Sequence, residues 1–135
     1  MIRIPKKIDY VVKVLEELKK EGDKMPLSLK EIAKRNSISE KYLKQIMPYL
    51  EERKIVRSIK GRSGGYFLNK DLKEVSLFDI FDALNEPLNV APCDKEKKNC
   101  VIFENCYMKN IWKNLNLEIK KFLKMKKIEN IILKK

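Results

Sequence analysis

Three cysteines, Cys93, Cys100 and Cys106, fall within the stretch CDKEKKNCVIFENC, and the chain has no others. Thiolates gathered this closely suit zinc or an iron–sulfur cluster. Six residues separate the first two and five the second two, which is not the C-x-x-C knuckle of a zinc ribbon, so zinc falls behind. The segment is polar and lysine-rich, unlike the apolar helix faces that bury structural cysteines. Lys95, Lys97 and Lys98 favour thiolate over thiol. Spacing alone leaves three unremarkable free thiols open as the other reading.

The chain has no histidine. That removes Cys-His and Ser-His nucleophile systems and every histidine metal ligand. Neither a paired-carboxylate site nor a phosphate-cradling glycine loop is visible, so we expect no enzyme. The first residues, MIRIPKKIDY, carry no signal-like apolar run, and no stretch approaches the ~18 apolar residues of a membrane span. We expect a soluble, cytoplasmic protein with no membrane partner. Thiols stay reduced in that compartment, and clustered cysteines there bind metal or sense redox state more often than they form structural disulfides.

The formal net charge is +12 over 135 residues. Residues 1–70 hold 18 Lys/Arg against 9 Asp/Glu, whereas residues 71–135 hold 13 against 10. A basic N-terminal half suits a polyanion, because lysines and arginines lined against phosphates release counterions. A generically solvated lysine surface explains the same charge equally well.

The elements that must position these groups are mostly helical. Ile8, Val11, Val12, Leu15 and Leu18 follow helical spacing after Pro5, which predicts a helix over 5–20 that Gly22 ends. Ser28 and Glu31 form a capping-box pattern ahead of a short second helix, SLKEIAKRN. Ser39 caps a third, SEKYLKQIMPYLEERK, with Tyr42, Leu43, Ile46, Met47 and Leu50 as its stripe and Pro48 as an expected bend. IVRSIKGRSGGYFLNK reads as a two-stranded hairpin with a glycine-rich tip. Ser76 caps a fourth helix, SLFDIFDALN. A longer helical pattern runs from about 102 to 127, where Trp112, Leu115, Ile119 and Phe122 take the a and d spacing of a coiled-coil-like seam. Ile128, Ile131, Ile132 and Leu133 make a last apolar patch.

Two short helices joined by a tight turn and followed by a basic hairpin make the winged helix-turn-helix plan. The fold class expected is therefore mainly α with a small β-hairpin wing. Ser39, Lys41, Lys44 and Gln45 lie near the start of the third helix on its non-core side, within reach of base edges or phosphates. Lys60 and Arg62 stand at the hairpin tip, where glycines allow close approach to the sugar–phosphate surface or the minor groove. Seven basic residues and two acidic ones occupy 41–62. A protein-interaction module with solvated lysines remains the competing reading.

The segments ISEKYLKQ and KGRSGGYFL resemble the iron–sulfur cluster regulator family, IscR/NsrR-like winged-helix transcription regulators. The shared patterns are I-S-x-x-Y-L-x-Q and G-x-x-G-G-Y-x-L, and the likeness runs over about residues 1–127. The resemblance implies a homodimer joined by a long crossed helix, which repression or activation would use to read a pseudo-palindromic double-stranded DNA operator. It places Ser39, Lys41, Tyr42, Lys44 and Gln45 in the recognition helix and Lys60, Gly61 and Arg62 in the wing. Some relatives have an acidic residue where Lys44 stands, so no base preference carries over. The implied division is 1–86 for the DNA-binding domain, with helix-turn-helix 28–53 and wing 55–69. Residues 87–106 form a cysteine-bearing loop, 102–127 a dimerisation helix with Trp112, Leu115, Ile119 and Phe122, and 128–135 a C-terminal segment.

The resemblance also implies an iron–sulfur cluster, of two or four irons, as a sensor of iron, redox state or nitric oxide. Cluster-binding members place three cysteines where Cys93, Cys100 and Cys106 stand, though the first gap is one residue longer here. IscR-like members add a histidine at the position of Lys109. NsrR-like members use an aspartate near the start of the first helix, the position of Asp9, delivered from the opposite subunit. The alternatives are a regulator of the same fold that works by thiol oxidation or a partner protein, and a protein-interaction adaptor.

Overall fold

The computed structural model describes residues 3–91 and 101–134. Helix α1 spans Lys6–Glu21 and turns Ile8, Val11, Val14, Leu15 and Leu18 into the core. Pro5 is its extended N-cap, and Gly22 closes it at φ 68, a conformation that costs glycine little. Helix α2, Leu29–Asn36, begins at Ser28, whose hydroxyl oxygen accepts from the Glu31 N–H at 3.2 Å. Only half of the expected capping box forms. The Glu31 carboxylate turns instead to Arg35, which also binds Glu17 and Glu21 of α1. Those three acids hold the Arg35 guanidinium proton more tightly than usual, Glu21 most of all.

Helix α3, Glu40–Glu52, starts at Ser39, whose hydroxyl oxygen accepts from the Tyr42 N–H at 3.4 Å. Leu43, Ile46, Met47 and Leu50 are buried. Pro48 lies inside this helix and has no N–H for the Lys44 carbonyl, yet the helix continues past it. Strands β1, Val56–Ile59, and β2, Gly65–Leu68, pair antiparallel with Val56 opposite Leu68 and Ile59 opposite Gly65. Residue 27 adds a short third rung: the Leu27 N–H donates to the Tyr66 carbonyl at 3.1 Å, and the Tyr66 N–H donates back at 2.9 Å.

Helix α4, Leu77–Ala83, has the full capping box, with Ser76 and Asp79 satisfying each other's backbone N–H groups. The expected helix over 102–127 is divided. A 3-10 turn covers Phe103–Asn105, and helix α5 begins at Lys109 and runs to Met125. The C-terminal patch is a further helix, α6, Ile128–Leu133. Its entry is stitched to the start of α4. The Leu77 N–H donates to the Lys126 carbonyl at 2.8 Å, and the Ile128 N–H donates to the Val75 carbonyl at 2.9 Å. Ile128 is completely buried, and Glu129 pairs with Lys19 of α1.

One core unites Leu15, Leu43, Leu50, Ile80 and Phe81 with Leu123 and Ile128 from the last two helices. The result is a mainly helical winged helix-turn-helix fold followed by a long helix. Among the described residues, no helix is long and apolar enough to cross a membrane.

Candidate nucleic-acid interface and metal ligands

Capping fixes the start of α3 and its core stripe fixes its rotation, so its other face is determined. Ser39, Lys41, Lys44 and Gln45 are exposed there, and Tyr42 is half-buried. Tyr42 meets the ring of Tyr10 on α1 edge to face, with centroids 5.5 Å apart and planes at 87°. That geometry favours an aromatic pair. Lys44 sits 3.6 Å from Glu40, an exposed i,i+4 pair. Such pairs contribute about 0.5 kcal/mol or less, so Lys44 can leave Glu40 for a phosphate at little cost.

The wing carries Lys60, Gly61 and Arg62 exposed at its tip. Gly61 has φ 114, which a side chain rarely adopts, and open space where a Cβ would be. The other two glycines serve the protein and not an approaching phosphate. A Cβ on Gly64 would lie 2.2 Å from the Ile59 carbonyl oxygen, and one on Gly65 would lie 2.5 Å from the Leu27 carbonyl. The glycine signature thus closes the hairpin and seats it against the entry to α2. Arg57 lies over the Phe67 ring at 4.3 Å. The Ser58 hydroxyl donates to Glu51, and the Asn69 side chain donates to the Lys54 carbonyl at 2.9 Å, so the wing is tied to the end of α3. Partial burial pushes the Tyr66 phenol above its ordinary pKa, and the Glu51 charge adds to the shift.

The candidate metal ligands are distributed differently. Cys106 is half-buried between the 3-10 turn and α5. Cys93 and Cys100, with Lys95, Lys97 and Lys98, lie outside the described residues. Asp9 is exposed on the first turn of α1, 3.8 Å from the Lys6 ammonium. It stands at the rim of an apolar groove of about 570 Å³ formed by Ile8, Val12, Phe81, Leu123 and Ile132. Among the described residues, no three Cys, His, Asp or Glu donors converge. Lys109 donates to the Glu104 carbonyl at 3.3 Å, so its ammonium acts as a donor and offers no lone pair to a metal.

Helix α5 presents much of its apolar surface to solvent. Leu115 and Phe122 are exposed, as are Ile111, Leu117 and Met125, while Trp112 and Ile119 are half-buried. Asn116 faces inward and donates to the Asn89 side chain at 3.2 Å, which ties α5 to the segment preceding the cysteines. Sequence reasoning overlooked Lys6 and Tyr10. Their basic and aromatic character was visible, but only the packing of α1 on α3 brings them beside the recognition helix.

Comparison with known proteins agrees with this architecture. The sequence pattern of the Rrf2 family, described as an iron-dependent transcriptional regulator, matches residues 4–134. The HTH-type transcriptional regulator IscR of Sodalis glossinidius is 29% identical over 122 residues, covering 90% of this chain and 74% of that protein. The structure of CymR (YrzC), the global cysteine regulator of B. subtilis, superposes with a TM-score of 0.75 at 28% identity, covering 100% of this chain and 99% of that one. IscR of T. potens shares the fold with a TM-score of 0.74 at 24% identity, covering 98% and 88%. The chain belongs to the Rrf2 family of winged-helix, DNA-binding transcription regulators.

Proposed function

We propose that the protein binds a pseudo-palindromic operator as a homodimer and carries an iron–sulfur cluster whose state sets operator affinity. Cys93, Cys100 and Cys106 would hold the cluster from one subunit and Asp9 from the other. The observation that carries this reading is the setting of Asp9. Its carboxylate is 65% exposed and held by one long ion pair to Lys6, at the rim of an apolar groove. An exposed pair of that kind is worth about 1 kcal/mol or less, so Asp9 is free to take a stronger partner. The apolar face of α5 supports the dimer, because a monomer seldom keeps so continuous an exposed apolar surface. A partner subunit docked beside the groove would exclude water from the Asp9 carboxylate, which strengthens its attraction to a metal ion placed against it.

Cys93, Cys100, Cys106 and Asp9 would hold the cluster, which would supply a centre that responds to oxidants, nitric oxide or a shortage of iron. The protein's own part is connective. Asp9 precedes Tyr10, Tyr10 packs on Tyr42, and Tyr42 belongs to the recognition helix. A change at Asp9 is therefore one ring contact from the DNA face. Anaerobic purification, with visible absorption and iron and sulfide counts, tests the ligand set. The wild type should be coloured and hold iron and sulfide, and Asp9→Ala should lose iron faster in air. A colourless, iron-free protein after anaerobic reconstitution would refute the cluster. It would favour the second reading, a regulator of the same fold that works by thiol oxidation or through a partner protein.

A further inference from the structure

A cleft of about 520 Å³ lies between the first turn of α1 and the first turn of α3. Lys6 and Tyr10 line one side, and Ser37, Ser39, Lys41 and Tyr42 the other. No acidic side chain is among its lining residues. Lys6 and Lys41 are both exposed, and among the described residues the ion pair of Lys6 is the long one to Asp9, at 3.8 Å. Ser37 sits in the left-handed conformation that ends α2, which brings a hydroxyl to the same cleft. Two cations and hydroxyl donors facing a cleft with no acid in its lining, one of them held by a single long exposed pair, suit a phosphodiester group. The cleft opens beside Gln45 on the recognition helix, so DNA gripped by α3 has its backbone within reach.

We propose that this cleft seats one backbone phosphate of the bound duplex, with Lys6 as a DNA contact supplied by α1 and not by the helix-turn-helix itself. The neighbouring Lys7 makes the contrast. It faces a second cleft on the far side of Tyr42, but its ammonium is paired with the half-buried Glu86. Lys6 gives up a long, exposed pair to reach a phosphate, whereas Lys7 would give up a close, half-buried one.

Salt dependence separates the two. Each phosphate contact contributes about 0.9 to the slope of log affinity against log salt, or about fivefold in affinity at ~0.15 M salt. The probe is a random-sequence duplex of about 30 base pairs, since phosphate contacts do not depend on sequence. Lys6→Gln should lower the slope by about 0.9 per protomer and weaken binding about fivefold per protomer. Its melting temperature should stay unchanged, because Lys6 is exposed. Lys7→Gln should leave the slope as in the wild type. An unchanged slope in Lys6→Gln, or equal changes in both variants, would overturn the proposal. Failure of the wild type to bind the duplex at all would instead strike at the DNA-binding reading itself.

Discussion

Replacing Gly65 by alanine gives opposite signs under two views of that glycine. If Gly65 were only a flexible residue in a wing, alanine would stabilise the fold by about 0.4–1 kcal/mol through a less mobile unfolded chain. The structure argues for the reverse. A Cβ there would lie 2.5 Å from both the carbonyl carbon and oxygen of Leu27, and 2.9 Å from the Ser28 nitrogen. These are backbone atoms and cannot swing aside. Relief requires the wing to move off residue 27, which breaks the hydrogen bonds of 3.1 Å and 2.9 Å between Leu27 and Tyr66. Each contributes about 1 kcal/mol. Ser28 caps α2, and disturbing that cap adds about another 1 kcal/mol. The total is about 3 kcal/mol, or a fall in melting temperature of about 10–15 °C for a chain of this size. Thermal unfolding followed by circular dichroism measures the total, and amide exchange at Leu27 and Tyr66 localises it. Gly61→Ala, at a position with open space, should leave those two amides protected. A Gly65→Ala protein as stable as wild type, with both amides protected, would refute the reasoning.

Three further outcomes follow from the same geometry. If the proposed dimer forms through α5, Phe122→Asp should sediment as a monomer where the wild type sediments as a dimer, with helix content kept, because Phe122 is 58% exposed within its own chain. Arg62→Ala should weaken operator binding by about tenfold or more, as measured by fluorescence anisotropy, with no change in melting temperature. The Tyr66 phenol is pushed above its ordinary 10.0, by burial first and by Glu51 second. The folded state then holds that proton more tightly than the unfolded chain, so stability falls as pH rises above about 10. Tyr66→Phe should remove that part of the alkaline loss in denaturant titrations.

Helix starts were legible because Ser28, Ser39 and Ser76 each stand just before an apolar stripe, and all three act as N-caps. The recognition face followed from them, since a cap and a core stripe together fix how a helix is turned. The Ser28 box was misread because Glu31 turns to Arg35, its i,i+4 neighbour, and Glu17 and Glu21 of α1 hold that Arg35 in place, a tertiary support the local pattern does not contain. The early start assigned to the last long helix failed at Cys106–Met108. Helical periodicity there was weak, and the turn at Phe103–Asn105 interrupts the chain. Helix α6 was visible only as an apolar patch. Its place depends on backbone hydrogen bonds to residues 72, 75 and 77, far away in sequence. The same limit hid Lys6, whose meaning comes from the cleft it shares with α3.

Under the proposed function the metal ligands and the DNA face are energetically linked. Titrating duplex from the protein's own promoter region with one anaerobic preparation, before and after its iron is stripped, reads that linkage. Coupling of 1–3 kcal/mol predicts a change in affinity of about 5–150-fold between the two states, lost in the Asp9→Ala variant. Equal affinities in the iron-loaded and stripped states would contradict it.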